Sequence, residues 1–202
     1  MNRKVQNHFQ SIDPILFSVA SIIMLENRNA RPAEDYFVSL CENIIGQQLS
    51  GKVSDVIFSR FEKLFPTKII TPRTVMKLSE EKLRTTGMSW SKTRFIRDLA
   101  QQVLVKSVQL DQLAQLSDHE VIAELTKVKG IGPWTAEMFL MFTLGREDIF
   151  SYGDLGLKNA IKKLYGFKKD PTIKQMEKIV NKWKPYRTYA ARILWKSLEL
   201  KS

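Results

Sequence analysis

Val128-Lys129-Gly130-Ile131-Gly132-Pro133-Trp134-Thr135-Ala136 is the stretch that decides the fold. One helix is predicted to end near Thr126 or Lys127, and another to begin at Pro133, whose fixed φ and missing N–H suit a first helical turn. Between them Gly130 and Gly132 permit a very tight turn with little side-chain bulk. Backbone N–H groups of such a turn, and of the helix start behind it, converge on one anionic group such as a DNA phosphate. Ile131 is expected to point inward and pin the two helices together. An ordinary helix–helix corner is the competing reading, because Gly-x-Gly alone is common. The long apolar helix expected over 137–144 favours the phosphate-holding hairpin.

Outward from this turn, helical periodicity dominates and no convincing alternating strand appears. Tyr36, Phe37, Leu40, Cys41, Ile44 and Ile45 fall on one face of a helix entered through Pro32. Val53, Ile57, Phe58, Phe61, Leu64 and Phe65 repeat the pattern until Pro66 stops it. Phe95, Ile96, Leu99, Val103 and Leu104 do so again. Ser117 followed by Glu120 reads as a capping box opening the helix of Ile122 and Leu125. Tyr186, Tyr189, Ala190, Ile193, Leu194 and Leu198 form a last amphipathic stretch. The expectation is an all-α protein of roughly nine or ten short helices, without internal repeats or low-complexity tracts.

The 202 residues, 44% of them hydrophobic, fit one ordinary domain or two small helical lobes flanking a cleft. Cys41 is the only cysteine, so the chain forms no internal disulfide and offers neither a four-cysteine iron–sulfur site nor a Cys/His zinc site. A reducing, intracellular setting is expected: cytoplasm and nucleoid, or the nucleus of a eukaryote. Arg3 and Lys4 precede the apolar run Ile15–Leu25, but Ser18 and Ser21 interrupt it and no small-residue cleavage site follows. It is too short to span a bilayer and reads as a buried helix. Net charge is +11, and it is lopsided: residues 156–202 carry 13 Lys/Arg against three acids, net +10, whereas residues 1–155 net +1. Such asymmetry points to a polyanion, since phosphate neutralisation with counterion release drives nucleic-acid binding. A solvated lysine face that confers only solubility is the alternative.

Four separated blocks carry a resemblance to a known family. They are Gly130–Ala136; Phe150-Ser151-Tyr152-Gly153-Asp154-Leu155-Gly156-Leu157; Ile44-Ile45-Gly46-Gln47-Gln48-Leu49-Ser50; and Trp183-Lys184-Pro185-Tyr186-Arg187-Thr188-Tyr189-Ala190. Along the chain they follow the family's order, and over about residues 35–200 they resemble the helix-hairpin-helix DNA glycosylase superfamily, and within it the 3-methyladenine DNA glycosylase II family. The resemblance implies one glycosylase domain over 1–202, with the hairpin at about 118–144 and lobes at roughly 32–110 and at 1–31 plus 111–202. It also marks departures. Gly153 stands where the family often has an acid before the catalytic aspartate. Trp134 stands where strand-nicking relatives carry an imine-forming lysine. An extra N-terminal β domain of some members is not expected.

What the resemblance implies for individual residues follows. Asp154 is the candidate catalytic carboxylate, at the start of a helix expected over 155–165, where aspartate also serves as an N-cap. A fixed carboxylate stabilises the positive charge that develops on the sugar as a glycosidic bond breaks. Trp134 and Trp195 match the pocket aromatics of the family, and Met138 stands where some members carry tyrosine. The loop Gly87-Met88-Ser89-Trp90-Ser91-Lys92 aligns with the wedge loop, with Met88 and Trp90 exposed, Ser91 capping the next helix and Trp90 at the intercalating position. Gln47 and Gln48 match the minor-groove region, though they could equally bridge helices. Gly130, Ile131, Gly132 and Thr135 form the phosphate-binding hairpin. The expected activity is that of a monofunctional glycosylase releasing alkylated purines of the 3-methyladenine and 7-methylguanine type. The partner is double-stranded DNA, bound by a monomer away from membranes. No metal and no catalytic cofactor are expected, with room for a structural monovalent cation at the hairpin. The alternatives are the same fold acting on deaminated or oxidised bases, and a non-catalytic binder of damaged DNA.

Overall fold

A computed structural model of the chain describes residues 3–26, 29–67 and 69–200. Among them the elements are helical throughout and no strand forms. In chain order the helices are α1 Arg3–Ile12, α2 Pro14–Ala20, α3 Tyr36–Gly46, α4 Gly51–Glu62, α5 Pro72–Met76 and α6 Glu80–Arg84. There follow α7 Trp90–Leu104, α8 Asp118–Leu125, α9 Pro133–Phe142, α10 Leu155–Leu164, α11 Ile173–Val180 and α12 Arg187–Ser197. The described helices outnumber the nine or ten expected, partly because α5 and α6 have only five residues each, too few to display a period.

The chain packs as two compact units, residues 1–30 with 145–202, and residues 31–144. In the second unit α3 is the central element. Tyr36, Phe37, Leu40, Cys41, Ile44 and Ile45 are all buried, as their spacing predicts, and α3 packs on α4, α7 and α9. Burial pushes the Cys41 thiol well above its ordinary range, which leaves it an inert packing residue. Side chains start the surrounding helices. Thr71 and Thr74 form a capping box before Pro72, Ser79 caps α6, and Ser117 with Glu120 forms the box expected at α8. The outer ends of two predicted apolar faces are not covered, since Val53 and Leu104 are exposed.

The division differs from the one drawn on the sequence, which put residues 111–144 with the terminal segments. The reason lies in specific ties. Helix α9 lies on α3, and the Asp98 carboxylate of α7 accepts the Lys129 N–H at 2.9 Å.

In the first unit α10 packs along α12, and α12 against α2. A buried carboxylate organises this core. Asp13 caps α2 by accepting from Leu16 N–H at 3.0 Å. Its other oxygen accepts from the Tyr165 hydroxyl at 2.6 Å and from Trp183 Nε1 at 2.9 Å. Burial and the adjacent Asp13 raise the Tyr165 hydroxyl far above its ordinary range, so it stays a donor. The apolar run Ile15–Leu25 is not one buried helix: α2 ends at Ala20, and Ile15, Ile22 and Met24 face outward while Leu16, Ile23 and Leu25 are buried. No helix among the described residues is long and apolar enough to cross a membrane.

Candidate nucleic-acid interface and candidate active-site carboxylate

The hairpin of unit 31–144 uses its two glycines for different purposes. Gly130 has φ +84°, and a Cβ there would lie 2.1 Å from Phe95 Cδ2, so both backbone and packing exclude other residues. Gly132 has φ −94° and ψ 177°, which any residue adopts, and a Cβ would meet nothing within 4 Å. The tight turn therefore needs Gly130, while Gly132 only keeps the outer surface low. Ile131 is buried as expected, and its N–H bonds the Val128 carbonyl at 3.1 Å.

Helix α9 starts at Pro133, with Ala136 N–H closing the first intrahelical bond onto Gly132 at 3.1 Å. Among the described residues no hydrogen bond takes up the N–H of Gly130, Gly132 or Thr135. Those of Gly132 and Thr135 are orphan donors of the helix start, with the positive end of its dipole behind them, and that of Gly130 lies in the turn before it. The Thr135 side chain is buried, and its hydroxyl accepts from Gln47 Nε2 at 3.2 Å. Gln47 Nε2 also donates to the Gly130 carbonyl at 2.8 Å. Its amide thus bridges α3 to the hairpin, one of the two roles the sequence left open. Gln48 is exposed, with φ +58°.

Trp134 is 42% exposed, which excludes a core role, whereas Met138, one turn on, is buried. The loop before α7 departs from expectation in two ways. Met88 is buried, and the cap of α7 is Ser89 rather than Ser91, its Oγ accepting from Lys92 N–H at 3.3 Å. The chain enters the helix two residues sooner than a cap at Ser91 implies, and Met88 closes the core beneath it. Trp90 becomes the first residue of α7, 44% exposed, with the Arg84 guanidinium 5.2 Å from its ring centroid. Arg84 Nη1 also bonds the Met88 carbonyl.

In the other unit, Asp154 is the N-cap of α10. Its Oδ1 accepts from Leu157 N–H at 2.7 Å and from Trp195 Nε1 at 3.0 Å. A Cβ on Gly156 would lie 3.1 Å from that oxygen and 3.2 Å from Trp195 Cδ1, so glycine lets the indole reach the carboxylate. Asp154 and Trp195 therefore belong together in one unit, while Trp134, Met138, Trp90, Gln47, Gln48 and the hairpin belong to the other. The block Trp183–Ala190 braces the segment leading to Asp154. Arg187 Nε and Nη2 grip the two Asp148 carboxylate oxygens at 2.7 and 3.0 Å. The Thr188 hydroxyl donates to the Arg146 carbonyl at 2.7 Å and accepts from Ile149 N–H at 3.0 Å.

Sequence reasoning missed Asp13, Arg84, Asp98, Asp148 and Lys92. Only Asp13, directly before Pro14, carried a local signal, that of a helix cap. Among the described residues no group of three or more His, Cys, Asp or Glu side chains is arranged to hold a metal.

Residues 41–185 match the HhH-GPD superfamily of base excision DNA repair proteins. The chain is 30% identical to the alkylbase DNA glycosidase-like protein mag2 of Schizosaccharomyces pombe, over 96% of this chain and 92% of that protein. Its fold superposes on the 3-methyladenine DNA glycosylase Mag1 of Schizosaccharomyces pombe, solved in complex with abasic DNA. The TM-score is 0.86 at 29% identity, covering 98% of this chain and 97% of that one. A DNA-3-methyladenine glycosidase from Bacillus halodurans matches with a TM-score of 0.81 at 35% identity, covering 97% and 89%. With an all-helical fold, a glycine hairpin and a capping aspartate in the expected order, the chain belongs to the HhH-GPD superfamily of base excision DNA repair proteins.

Proposed function

We propose that the chain is a monofunctional DNA glycosylase that hydrolyses the N-glycosidic bond of alkylated purines turned out of the duplex. The observation that carries this reading is the Asp154 carboxylate, fixed by the Leu157 amide and the Trp195 indole, in a chain similar to alkylpurine glycosylases along nearly its whole length.

The C1′–N bond breaks with its electron pair leaving on the base, and water supplies the oxygen that joins C1′ and releases a proton. Asp154 opposes the positive charge that builds on the sugar. A purine alkylated at N3 or N7 is cationic and departs neutral, so little general-acid help is required; the only histidines are His8 and His119. Trp134 offers an exposed, electron-rich face to such a cation. As an indole it forms no imine with the sugar, so the strand stays intact. The free amides of Gly130, Gly132 and Thr135 hold a phosphate. Trp90 is the residue assigned to the gap left by the extruded base.

The test is release of free base from methylated duplex under single-turnover conditions. Asp154→Asn is expected to abolish release while keeping lesion-DNA affinity within a few fold. Near wild-type turnover in the variant would overturn the assignment of Asp154. Release of deaminated or oxidised bases, with methylated purines untouched, would overturn the lesion class.

A further inference from the structure

Helix α3 ends at Gly46, where its last carbonyls have no intrahelical partners. Lys92 Nζ takes two carbonyls there, Ile45 at 2.8 Å and Gln47 at 2.7 Å. A cation at the negative end of a helix is well placed, and this one is held inward. Partial burial draws the Lys92 ammonium below the ordinary lysine range. The residue whose carbonyl Lys92 holds, Gln47, sends its side-chain amide to the Gly130 carbonyl and the Thr135 hydroxyl. The next residue, Gln48, is exposed at φ +58°, a conformation that a non-glycine keeps only when its surroundings impose it. Lys92 itself lies in the first turn of α7, whose first residue is Trp90. One ammonium and one amide thus join the start of α7, the end of α3 and the hairpin.

We propose that Lys92 and Gln47 form a positioning relay that sets the hairpin amides, Gln48 and Trp90 in one frame for DNA, and that Lys92 binds no phosphate. This rests on the DNA-binding reading above. In a protein with 32 Lys and Arg residues, the default role of a lysine beside a DNA-binding turn is a phosphate contact. The two carbonyls at Nζ assign this one differently. The relay acts by placing the donors of other residues, where small displacements cost much of the gain from preorganisation.

The experiment measures affinity for duplex bearing a tetrahydrofuran abasic analogue across a salt series. The proteins are the wild type, Lys92→Met, Gln47→Met and the double variant. Lys92→Met is expected to weaken binding by about ten-fold without changing the slope of log K against log salt. Gln47→Met is expected to do the same, and the double variant no more than the worse single one, because both cut one connection. A slope reduced by about 0.9 in Lys92→Met would make the residue a phosphate ligand and overturn the proposal. Wild-type affinity with a lowered melting temperature would make the contacts purely structural and overturn it too. Should Lys92→Met fail to fold, Gln47→Met decides alone, and unchanged affinity in it counts against the relay. A wild type with no measurable affinity for the duplex would overturn the DNA-binding reading, whereas wild-type binding with unchanged affinity in both single variants would overturn the relay alone.

Discussion

Asp154 serves two purposes through one oxygen. As an N-cap it satisfies the Leu157 amide, and the same Oδ1 receives the Trp195 indole N–H. The family resemblance puts Trp195 among the pocket aromatics; the geometry adds a hydrogen bond that fixes the carboxylate rotamer. A hydrogen bond to a charged group contributes about 1.5–3 kcal/mol. Trp195→Phe keeps a ring and removes the donor, so single-turnover excision is expected to slow by at least about ten-fold. Affinity for abasic-analogue DNA is expected to hold within about two-fold, because the donor acts on the carboxylate rather than on DNA. Gly156→Ala, which pushes into both partners, is expected to mimic it, and the two effects should not add. Unchanged excision in Trp195→Phe would leave the indole with stacking alone. At this scale Asp154 is legible in the sequence as the cap of α10 but its partner is not, because no local pattern says which edge of an indole meets which oxygen. Lys92 and Asp98 were illegible for the same reason: each bonds backbone groups far away along the chain.

At the scale of elements, the hairpin was legible in outline and its chemistry only in part. Pro133 as a helix start and Ile131 as a buried pin follow from local rules, and both hold. That Gly130 serves the fold while Gly132 serves the surface depends on the sign of φ and on Phe95, which lies outside the motif. The expected outcomes differ accordingly. Gly130→Ala should lower stability by about 2–5 kcal/mol, from a left-handed backbone carrying a Cβ and from overpacking. Gly132→Val should leave the melting temperature near wild type and weaken DNA binding irrespective of sequence, since a branched side chain would hold the phosphate away from the amides. Thermal melts and duplex affinities on both variants check this; equal destabilisation of the two would refute the division of labour. The wedge loop is the counter-example. Its apolar residues were read as a pair, yet Met88 is buried and Trp90 exposed. Two alternating residues before a helix carry no periodicity that assigns them to a face.

Over the whole molecule, fold class follows from periodicity because all-helical packing asks only that each apolar stripe find a partner. Which partner is a tertiary matter, and that is why the grouping of 111–144 with 31–110 in one unit is not legible in the sequence alone. Charge is different, since it sums along the chain without regard to folding. Of the basic residues beyond Gly156, Lys158 and Lys162 are engaged by Asp170 at 3.1 and 2.8 Å. Lys168, Lys169, Lys174, Lys178 and Lys182 are exposed. Exposed pairs with a single acid are weak and screened by salt, so this region keeps its positive field. If these lysines neutralise DNA phosphates, each removed charge lowers the salt slope of binding by about 0.9. Replacing Lys168, Lys169 and Lys174 together by glutamine is expected to flatten the slope by up to about 2.7. Damaged and undamaged duplexes should lose affinity equally, because phosphate contacts carry no lesion information. Melting temperature should stay near wild type, as exposed surface substitutions rarely change stability by more than about 0.5 kcal/mol. Titrations at several salt concentrations with both duplexes decide the matter. An unchanged slope would reduce the basic quarter to a solvated face and leave the hairpin as the phosphate-binding element.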